Sequence, residues 1–153
     1  MPTTVSLKEF CNCTGRELEP SDWLTITQQR VNQFADATDD HQFIHVDPEQ
    51  AAQTPFGGTI AHGFLTLSLL PHLNHASALQ PEGVKMVINY GSDKVRFLTP
   101  VRVGSRIRSL QKIIEVSEKS SKTWLVKTAV TIEIEHGSKP AMKAEVLTLY
   151  IVR

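Results

Sequence analysis

The sequence predicts an α+β fold in which a long, curved antiparallel β-sheet wraps around one central apolar α-helix. The second half of the 153-residue chain contains four long segments of strand-forming residues and no further helical period. Just before them, residues 60–73 place apolar side chains on nearly every side of a helix, and such a helix has to be buried. Strands of about 12 residues reach roughly 40 Å and cannot stay flat, so we expect them to curve around this helix.

Composition and charge favour one globular domain over residues 1–153. Hydrophobic residues make up 41% of the chain, enough for an ordinary core. Sixteen basic and sixteen acidic side chains leave a net charge of zero, so the attraction for phosphate backbones or anionic membranes is missing and no nucleic-acid partner is expected. No apolar run approaches the roughly 20 residues that cross a bilayer, and no secretory leader pattern is present. We therefore expect a cytoplasmic protein without a membrane span.

Cys11 and Cys13 are the only cysteines. Two cysteines one residue apart are poorly placed to staple a fold, and they cannot supply the four ligands of a structural zinc site. We expect both to be free thiols.

Start and stop signals for helices organise the first half of the chain. Residues 23–26 are a short strand candidate, and Thr27 is placed to cap a helix over residues 28–37. The polar cluster at residues 38–40 competes with the helix for backbone hydrogen bonds and ends it. Asp47 then stands as the N-cap of a second, short helix that residues 54–58 terminate.

The apolar helix and the strands complete the fold. Pro71 lies inside the helix over residues 60–73 and should kink or loosen its last turns. The strand segments, separated by turn residues, cover residues 84–90 with a possible extension through 93–97, residues 105–118, residues 123–135 and residues 141–152. In the third, Trp124, Val126, Val130, Ile132 and Ile134 share one face, which predicts a sheet with one buried side. A bent antiparallel sheet around one helix is the hot-dog architecture.

The polar loop at residues 39–48 is the candidate active site, because it holds two histidines and three carboxylates between two helices. Asp40 and His45 can orient a water molecule between a carboxylate and an imidazole, whose unperturbed pKa of about 6.5 suits proton transfer near neutrality. Such residues also often only cap helices. His41 and His45 have the spacing of metal ligands on a helix, but Phe43 and the helix-stopping aspartates favour a loop, so we expect no metal.

A second polar point, His62-Gly63, opens the apolar helix. Gly63 lies where the amides of the first turn are unpaired and the helix dipole favours developing negative charge, so its N–H can stabilise an oxyanion. The glycine also allows a substrate to approach closely. His62 is either a helix-entry residue hydrogen-bonded in place or a catalyst.

The order of these elements resembles the MaoC-like hydratases, the R-specific enoyl-CoA hydratases of hot-dog fold, over almost the whole chain. The family's loop typically reads Gly-Asp-x-Asn-Pro-x-His. Asp40 and His45 match it, whereas Asp39, Gln42 and Phe43 replace its glycine, asparagine and proline. Residues 88–97, which read Ile-Asn-Tyr-Gly-Ser-Asp-Lys-Val-Arg-Phe, look like the NodN-like branch of this family.

The resemblance implies reversible hydration of trans-2-enoyl-CoA to R-3-hydroxyacyl-CoA. Asp40 and His45 would activate water and return a proton to C2, with the division of labour between them left open, and Gly63 and His62 would serve the oxyanion and the substrate. Coenzyme A would be part of the substrate, with no further cofactor, and Lys94 and Arg96 would either meet its phosphates or line a solvated strand edge. The family also implies a homodimer with joined sheets, and we expect an obligate dimer or a dimer of dimers. Thioester hydrolysis and non-catalytic acyl-CoA binding remain alternatives.

Overall fold

A computed structural model describes residues 1–153, and its elements alternate between short helices in the first half and long strands in the second. In chain order they are β1 (Thr3–Val5), α1 (Leu7–Cys11), β2 (Leu24–Thr25), α2 (Gln28–Thr38), α3 (Phe43–Val46), α4 (Pro48–Ala52), α5 (Gly63–Ser68), α6 (Leu70–His75), β3 (Leu79–Pro81), β4 (Val84–Phe97), β5 (Arg106–Ser120), β6 (Thr123–Ile134) and β7 (Met142–Val152).

Five strands form one antiparallel sheet in the order β2-β5-β6-β7-β4. Register shifts interrupt the long ladders, for example between Ile113 and Glu115 in the β5–β6 pair and between Asn89 and Gly91 in the β4–β7 pair. Shifts of this kind bend a strand and increase its twist. On β6 the even-numbered side chains from Val126 to Ile132 are buried and the odd-numbered ones are half-buried. The predicted sheet with one buried face is therefore confirmed.

The main core lies between this buried face and the helices. Its members come from α2, α5 and α6 on one side and from β5, β6 and β7 on the other, and include Val31, Leu65, Leu69, Leu70, Leu73, Ile107, Val130, Ile132, Met142 and Ala144. Burying an aliphatic side chain of this size contributes about 1.5–3 kcal/mol. The curved sheet packed around the apolar helical segment is the predicted α+β hot-dog fold.

The apolar segment departs from the prediction in two respects. It forms two helices instead of one. The N–H of Leu69 still bonds the carbonyl of Leu65 at 3.0 Å, but Pro71, in the first turn of α6, has no N–H to donate to the carbonyl of Leu67. The disturbance expected from Pro71 is therefore present, but it falls at Leu69, before the proline, and the last turns remain helical as α6. The expectation that every side of this segment is buried is wrong, since Phe64 is 68% exposed. The Phe64 ring contacts the Phe97 ring of β4 edge-on.

Two predicted helix caps are present. The hydroxyl of Thr27 accepts a hydrogen bond from the N–H of Arg30 at 3.1 Å, and the carboxylate of Asp47 accepts one from the N–H of Gln50 at 3.0 Å. Strand β4 runs without a break from residue 84 to residue 97, so the longer of the two alternatives is the correct one. None of the helices is long and apolar enough to cross a membrane.

The N-terminal unit was not foreseen in the sequence. Strand β1 pairs with β3 in parallel, and α1 brings Phe10 and Cys13 into a second buried cluster with Ile113 of β5. Segments of three to five residues are too short to show a hydrophobic period. Cys11 and Cys13 are both free, as expected.

Candidate active site

The polar loop begins where α2 ends in a left-handed residue, Asp39, with a φ of 60°. Asparagine, aspartate and glycine adopt this conformation most readily, so Asp39 keeps the backbone geometry that the glycine of the family pattern favours. The carboxylate of Asp40 then accepts a long hydrogen bond, 3.4 Å, from the N–H of Gln42. The expectation of an open loop up to residue 47 is wrong, because His45 lies in the one-turn helix α3.

His45 is fixed through both its ring and its backbone. Its side chain is buried, and its Nδ1 lies 2.7 Å from the carbonyl oxygen of Ile60. A carbonyl oxygen can only accept, so Nδ1 carries the proton and Nε2 carries a free lone pair in the neutral ring. The amide of Gln28 donates to the backbone carbonyl of His45 at 2.8 Å and accepts at 2.6 Å from the hydroxyl of Thr59. These contacts hold His45 as a base with Nε2 available.

Burial lowers the pKa of His45 below its ordinary value of 6.5. Loss of solvation is the largest cause, because it disfavours the charged ring. The hydrogen bond to Ile60 and the charge of Asp40 act in the opposite direction, while the neighbouring His62 lowers the pKa further. Burial therefore favours the neutral form of His45, which can accept a proton.

His62 lies directly against His45. The two rings are stacked, with centroids 3.9 Å apart and planes 24° from parallel, and the His62 ring also packs on Phe34 at 4.9 Å. His62 holds the N-cap position of α5, yet its side chain does not cap the helix. Its Nε2–H donates instead to the backbone carbonyl of Asp40 at 3.0 Å. Its Nδ1 is buried and has no hydrogen-bond partner.

Asp40 completes the cluster from its solvent side. Its carboxylate is half exposed and lies 4.0 Å from the Nε2 of His62. One carboxylate oxygen of Asp40 and one ring nitrogen each of His45 and His62 all lie within 4.8 Å of one another. A water molecule that makes two hydrogen bonds of about 2.8 Å can bridge a gap of this width. The structure thus brings together Asp40, His45 and His62, all three of which the sequence singled out.

His41 does not join this cluster. Its ring is half exposed and its Nε2 lies 2.8 Å from the carboxylate of Asp36 on α2. The spacing of four residues between His41 and His45, which could have indicated a metal site, therefore does not bring the two rings onto one ion.

Distances alone would allow Asp40, His45 and His62 to hold a metal ion. The bond from one nitrogen of each histidine to a carbonyl leaves the other nitrogen free, so it does not decide the matter. The stacking does not favour an ion, because lone pairs that lie in two separate, nearly parallel ring planes are poorly placed to meet at about 2.0–2.1 Å from one atom. The arrangement suits proton transfer better than metal coordination.

Gly63 starts α5 next to His62, and the ring of Phe97 lies directly over it. A Cβ atom at this position would come within 2.9 Å of the Phe97 ring. The glycine is therefore required by the packing of an aromatic ring, a reason that the sequence did not reveal. The N–H of Gly63 belongs to the first turn of α5, where amides lack partners within the helix.

Lys94 and Arg96 both lie exposed on the edge strand β4. Lys94 faces the carboxylate of Glu145 at 3.5 Å, and the guanidinium of Arg96 donates to the carbonyl of its neighbour Val95. Of the two alternatives for these residues, the solvated strand edge describes the contacts that they make.

Sequence reasoning missed Gln28, Thr59, Phe34 and Phe97, which support the cluster. Gln28 and Thr59 look like ordinary polar residues in a first helical turn and a loop, and 31 residues separate them. Only the tertiary fold brings them together, so no local signal could have identified them.

Residues 9–136 match the family model described as "MaoC like domain". The 3-hydroxyacyl-thioester dehydratase Z of Mycobacterium tuberculosis is 49% identical to this chain over 151 residues, which is 99% of each protein. Nodulation protein N of Rhizobium leguminosarum bv. viciae is 45% identical over 95% of this chain and 91% of its own length.

Among solved structures, the unliganded R-hydratase PhaJ1 from Pseudomonas aeruginosa superposes with a TM-score of 0.74 at 24% identity, covering 92% of this chain and 83% of that one. This likeness supports the fold. Dehydratases and hydratases are hydro-lyases, and the prediction of this enzyme class is confirmed by the relatives that carry these names. The family prediction is confirmed as well: the chain belongs to the MaoC-like dehydratase family.

Proposed function

We propose that the chain catalyses the reversible hydration of trans-2-enoyl-CoA to R-3-hydroxyacyl-CoA, with Asp40 and His45 as catalytic residues. The observation that carries this proposal is the state of His45: its Nδ1–H is committed to a carbonyl, which leaves Nε2 as the acceptor of the ring, and a ring nitrogen of His45 lies within 4.8 Å of an Asp40 carboxylate oxygen. A base and a carboxylate so close together can hold one water molecule from two sides. Adding that water to an activated double bond needs no redox step and so no further cofactor.

In the hydration direction, the oxygen of this water forms a bond to C3 of the enoyl thioester. One water proton passes to the Asp40–His45 pair, and the electron pair of the C2–C3 double bond moves toward the thioester carbonyl to give an enolate. The enolate then collapses as C2 takes a proton from the same pair, so protons and electrons balance. Dehydration is the reverse of these steps.

The enolate oxygen needs a hydrogen-bond donor, and the N–H of Gly63 is the donor that we propose. It lies in the first turn of α5, immediately after His62. An oxyanion donor of this kind typically contributes a factor of about 10²–10³ to kcat. The Phe97 ring over Gly63 would then form one wall of the thioester site.

The dehydratase from M. tuberculosis is named for 3-hydroxyacyl thioesters, which supports a thioester substrate here without identifying the carrier. Coenzyme A and a cytoplasmic location are our proposals for this chain. Kinetic comparison of acyl-CoA with the matching acyl-carrier-protein thioester tests the first, and cell fractionation tests the second.

The reaction itself is tested with crotonyl-CoA by following the loss of enoyl absorbance and the release of free thiol in the same sample. We expect the absorbance to fall without thiol release, and chiral analysis of the product to give the R-3-hydroxy thioester. Thiol release in step with substrate loss would identify a thioesterase instead. If neither signal changes for short, medium or long enoyl chains, the chain binds acyl-CoA without catalysis, and the proposal is wrong.

We further propose a homodimer joined through β4. This strand pairs with β7 on one side only and lies at the edge of the sheet. Its large apolar side chains are unusually exposed: Met86 52%, Val87 53%, Ile88 41%, Tyr90 50% and Phe97 46%. An unpaired edge with an apolar surface is a site for pairing with another chain. A second copy would cover it by continuing the sheet.

Light scattering at micromolar concentration tests this assembly. We expect twice the mass of the 17.1 kDa chain for the wild type and the mass of one chain for Ile88→Lys. Ser121→Lys, in the exposed turn between β5 and β6, adds the same charge away from the edge and should leave the dimer intact. A monomeric wild type would contradict the proposal.

A further inference from the structure

His62 makes a set of contacts that neither proton transfer by Asp40 and His45 nor the N-terminus of α5 explains. Its side chain is almost fully buried, does not cap its helix, and bonds the backbone of Asp40, which lies 22 residues earlier in the chain. A histidine that serves only as core filling has no reason to reach one catalytic candidate and stack on the other.

The contacts fix one nitrogen of the ring. The carbonyl of Asp40 can only accept, so Nε2 of His62 must donate to it. Nδ1 then carries a lone pair in the neutral ring, and that atom is buried without a partner. A buried polar atom without a partner is unfavourable, so burial alone does not account for an imidazole at this position.

We propose that His62 is a positioning residue of the active site. Through Nε2 it holds the main chain of Asp40, and through its ring face it supports the imidazole of His45, so that the carboxylate and the free Nε2 of His45 stay directed at one water molecule. This inference rests on the proposed hydration reaction and assigns His62 a different task from the substrate-binding role considered in the sequence.

The stack has an electrostatic consequence as well. Two imidazoles with centroids 3.9 Å apart do not readily carry two charges, and His62 lowers the pKa of His45. The other group that influences His45 by its charge is Asp40, which acts in the opposite direction. The remaining neighbours are neutral, namely the carbonyl of Ile60, the amide of Gln28 and, beside His62, the ring of Phe34.

Two substitutions distinguish the hydrogen bond from His62 to the Asp40 carbonyl from the stacking of His62 on His45. His62→Leu removes both the donor and the imidazole, and we expect kcat for crotonyl-CoA hydration to fall about 100-fold while KM changes less than threefold, because only the aim of the catalytic pair is lost. His62→Gln keeps an amide N–H near the position of Nε2 and should recover at least tenfold of this loss. His75→Gln is the control, an exposed histidine on α6 outside the site.

A second measurement needs no substrate. Histidine ring resonances followed by ¹⁵N NMR between pH 4 and pH 8, with the His45 signal assigned by its loss in His45→Gln, should show a higher His45 pKa in His62→Gln than in the wild type. The acid limb of the pH–rate profile should move to higher pH with it.

A purely structural His62 would give other results. Both variants would then lose stability but, per folded molecule, retain the wild-type kcat and the wild-type His45 titration, and that outcome would overturn the proposal. If the wild type shows no hydration at all, the proposed function fails, and the NMR titration alone decides the role of His62. If His62→Leu does not fold, His62→Gln alone is compared with the wild type: unchanged kcat and unchanged titration again refute the proposal.

Discussion

His41 and His45 lie four residues apart in the same polar segment, yet their side chains have different surroundings in the fold. The His41 ring is half exposed and pairs with Asp36 one helix earlier, in contact with solvent. The His45 ring is buried, bonded to the carbonyl of Ile60 and stacked on His62, and the amide of Gln28 donates to the backbone carbonyl of His45. The difference lies in the partners: those of His45 fix the tautomer of its ring and shield it from water, and those of His41 leave its ring in contact with solvent.

The largest loss of activity should come from substituting the buried catalytic candidates, compared with the same substitutions at exposed residues of the polar segment. His45→Gln and Asp40→Asn should each lower kcat for enoyl-CoA hydration by about 10³-fold, because each removes a proton-transfer group. His41→Gln and Asp39→Asn change the same residue types in the exposed part of the segment and should stay within about twofold of the wild type. Steady-state kinetics on variants shown to be folded by circular dichroism checks this.

Equal losses of kcat in His41→Gln and His45→Gln would contradict the proposed difference between the two histidines. Wild-type activity in both His45→Gln and Asp40→Asn would instead remove these two residues from the site.

The support behind His45 should have a smaller effect. Gln28→Leu removes the amide that bonds both the backbone carbonyl of His45 and the hydroxyl of Thr59, so α3 loses its tie to α2 and the ring becomes less well aimed. We expect kcat to fall about tenfold, less than for loss of the base itself. Gln29→Leu, an exposed neighbour with the same change of residue type, is the matched control. A similar loss of kcat in Gln28→Leu and Gln29→Leu would show that the substitutions disturb helix α2 as a whole and not the hydrogen bonds of Gln28.

The burial of His45 should also be visible in stability. Its pKa is lowered in the folded state, so below pH 6.5 the unfolded chain binds a proton at this residue that the folded chain does not. This contribution to the free energy of unfolding is fully present above pH 6.5 and is lost as the pH falls through the lowered pKa. Urea unfolding at pH 7.5, 6.5 and 5.5 should show a steeper decrease for the wild type than for His45→Gln. If the free energy of unfolding falls equally with pH in both proteins, the folded state does not disfavour the charged form of the His45 ring.

Several parts of this arrangement could be predicted from the sequence because they follow local rules. The alternation of β6, the caps Thr27 and Asp47, and the candidate pair Asp40 and His45 depend on spacing and residue type within short windows. The meeting of His62 with the Asp40 loop was not predictable in detail, although both were singled out. It depends on the path of the chain between α3 and α5, where the N–H of Ile60 bonds the carbonyl of Ile44.

The errors have physical reasons of the same kind. The hydrophobic pattern of residues 60–73 cannot show that Pro71 divides the segment into two helices, nor that Phe64 faces the open edge of the sheet. Burial depends on what lies opposite a side chain, and Phe64 stays 68% exposed although its ring contacts that of Phe97. The short parallel pair of β1 and β3 joins segments more than 70 residues apart, as in the pairing of Thr3 with Leu79, and has no local signature.

The smallest expected effect concerns the first residue of the polar segment, where this chain differs from the family pattern. Asp39 is left-handed, with a φ of 60°, and its carboxylate lies at the C-terminal end of α2. Asp39→Gly removes both the steric cost of that conformation and a negative charge at the negative end of the helix dipole, and should raise the free energy of unfolding by about 0.5–1 kcal/mol.

Asp39→Ala separates the two causes, because it removes the charge and keeps a Cβ atom. If conformation dominates, urea unfolding should place the variants in the order glycine, aspartate, alanine from most to least stable, because alanine lacks the polar side chain that helps aspartate adopt this backbone shape. Equal stabilisation by glycine and alanine would mean that the charge alone matters. In that case the negative charge of Asp39, and not its left-handed backbone conformation, would limit stability at the exposed start of the polar segment.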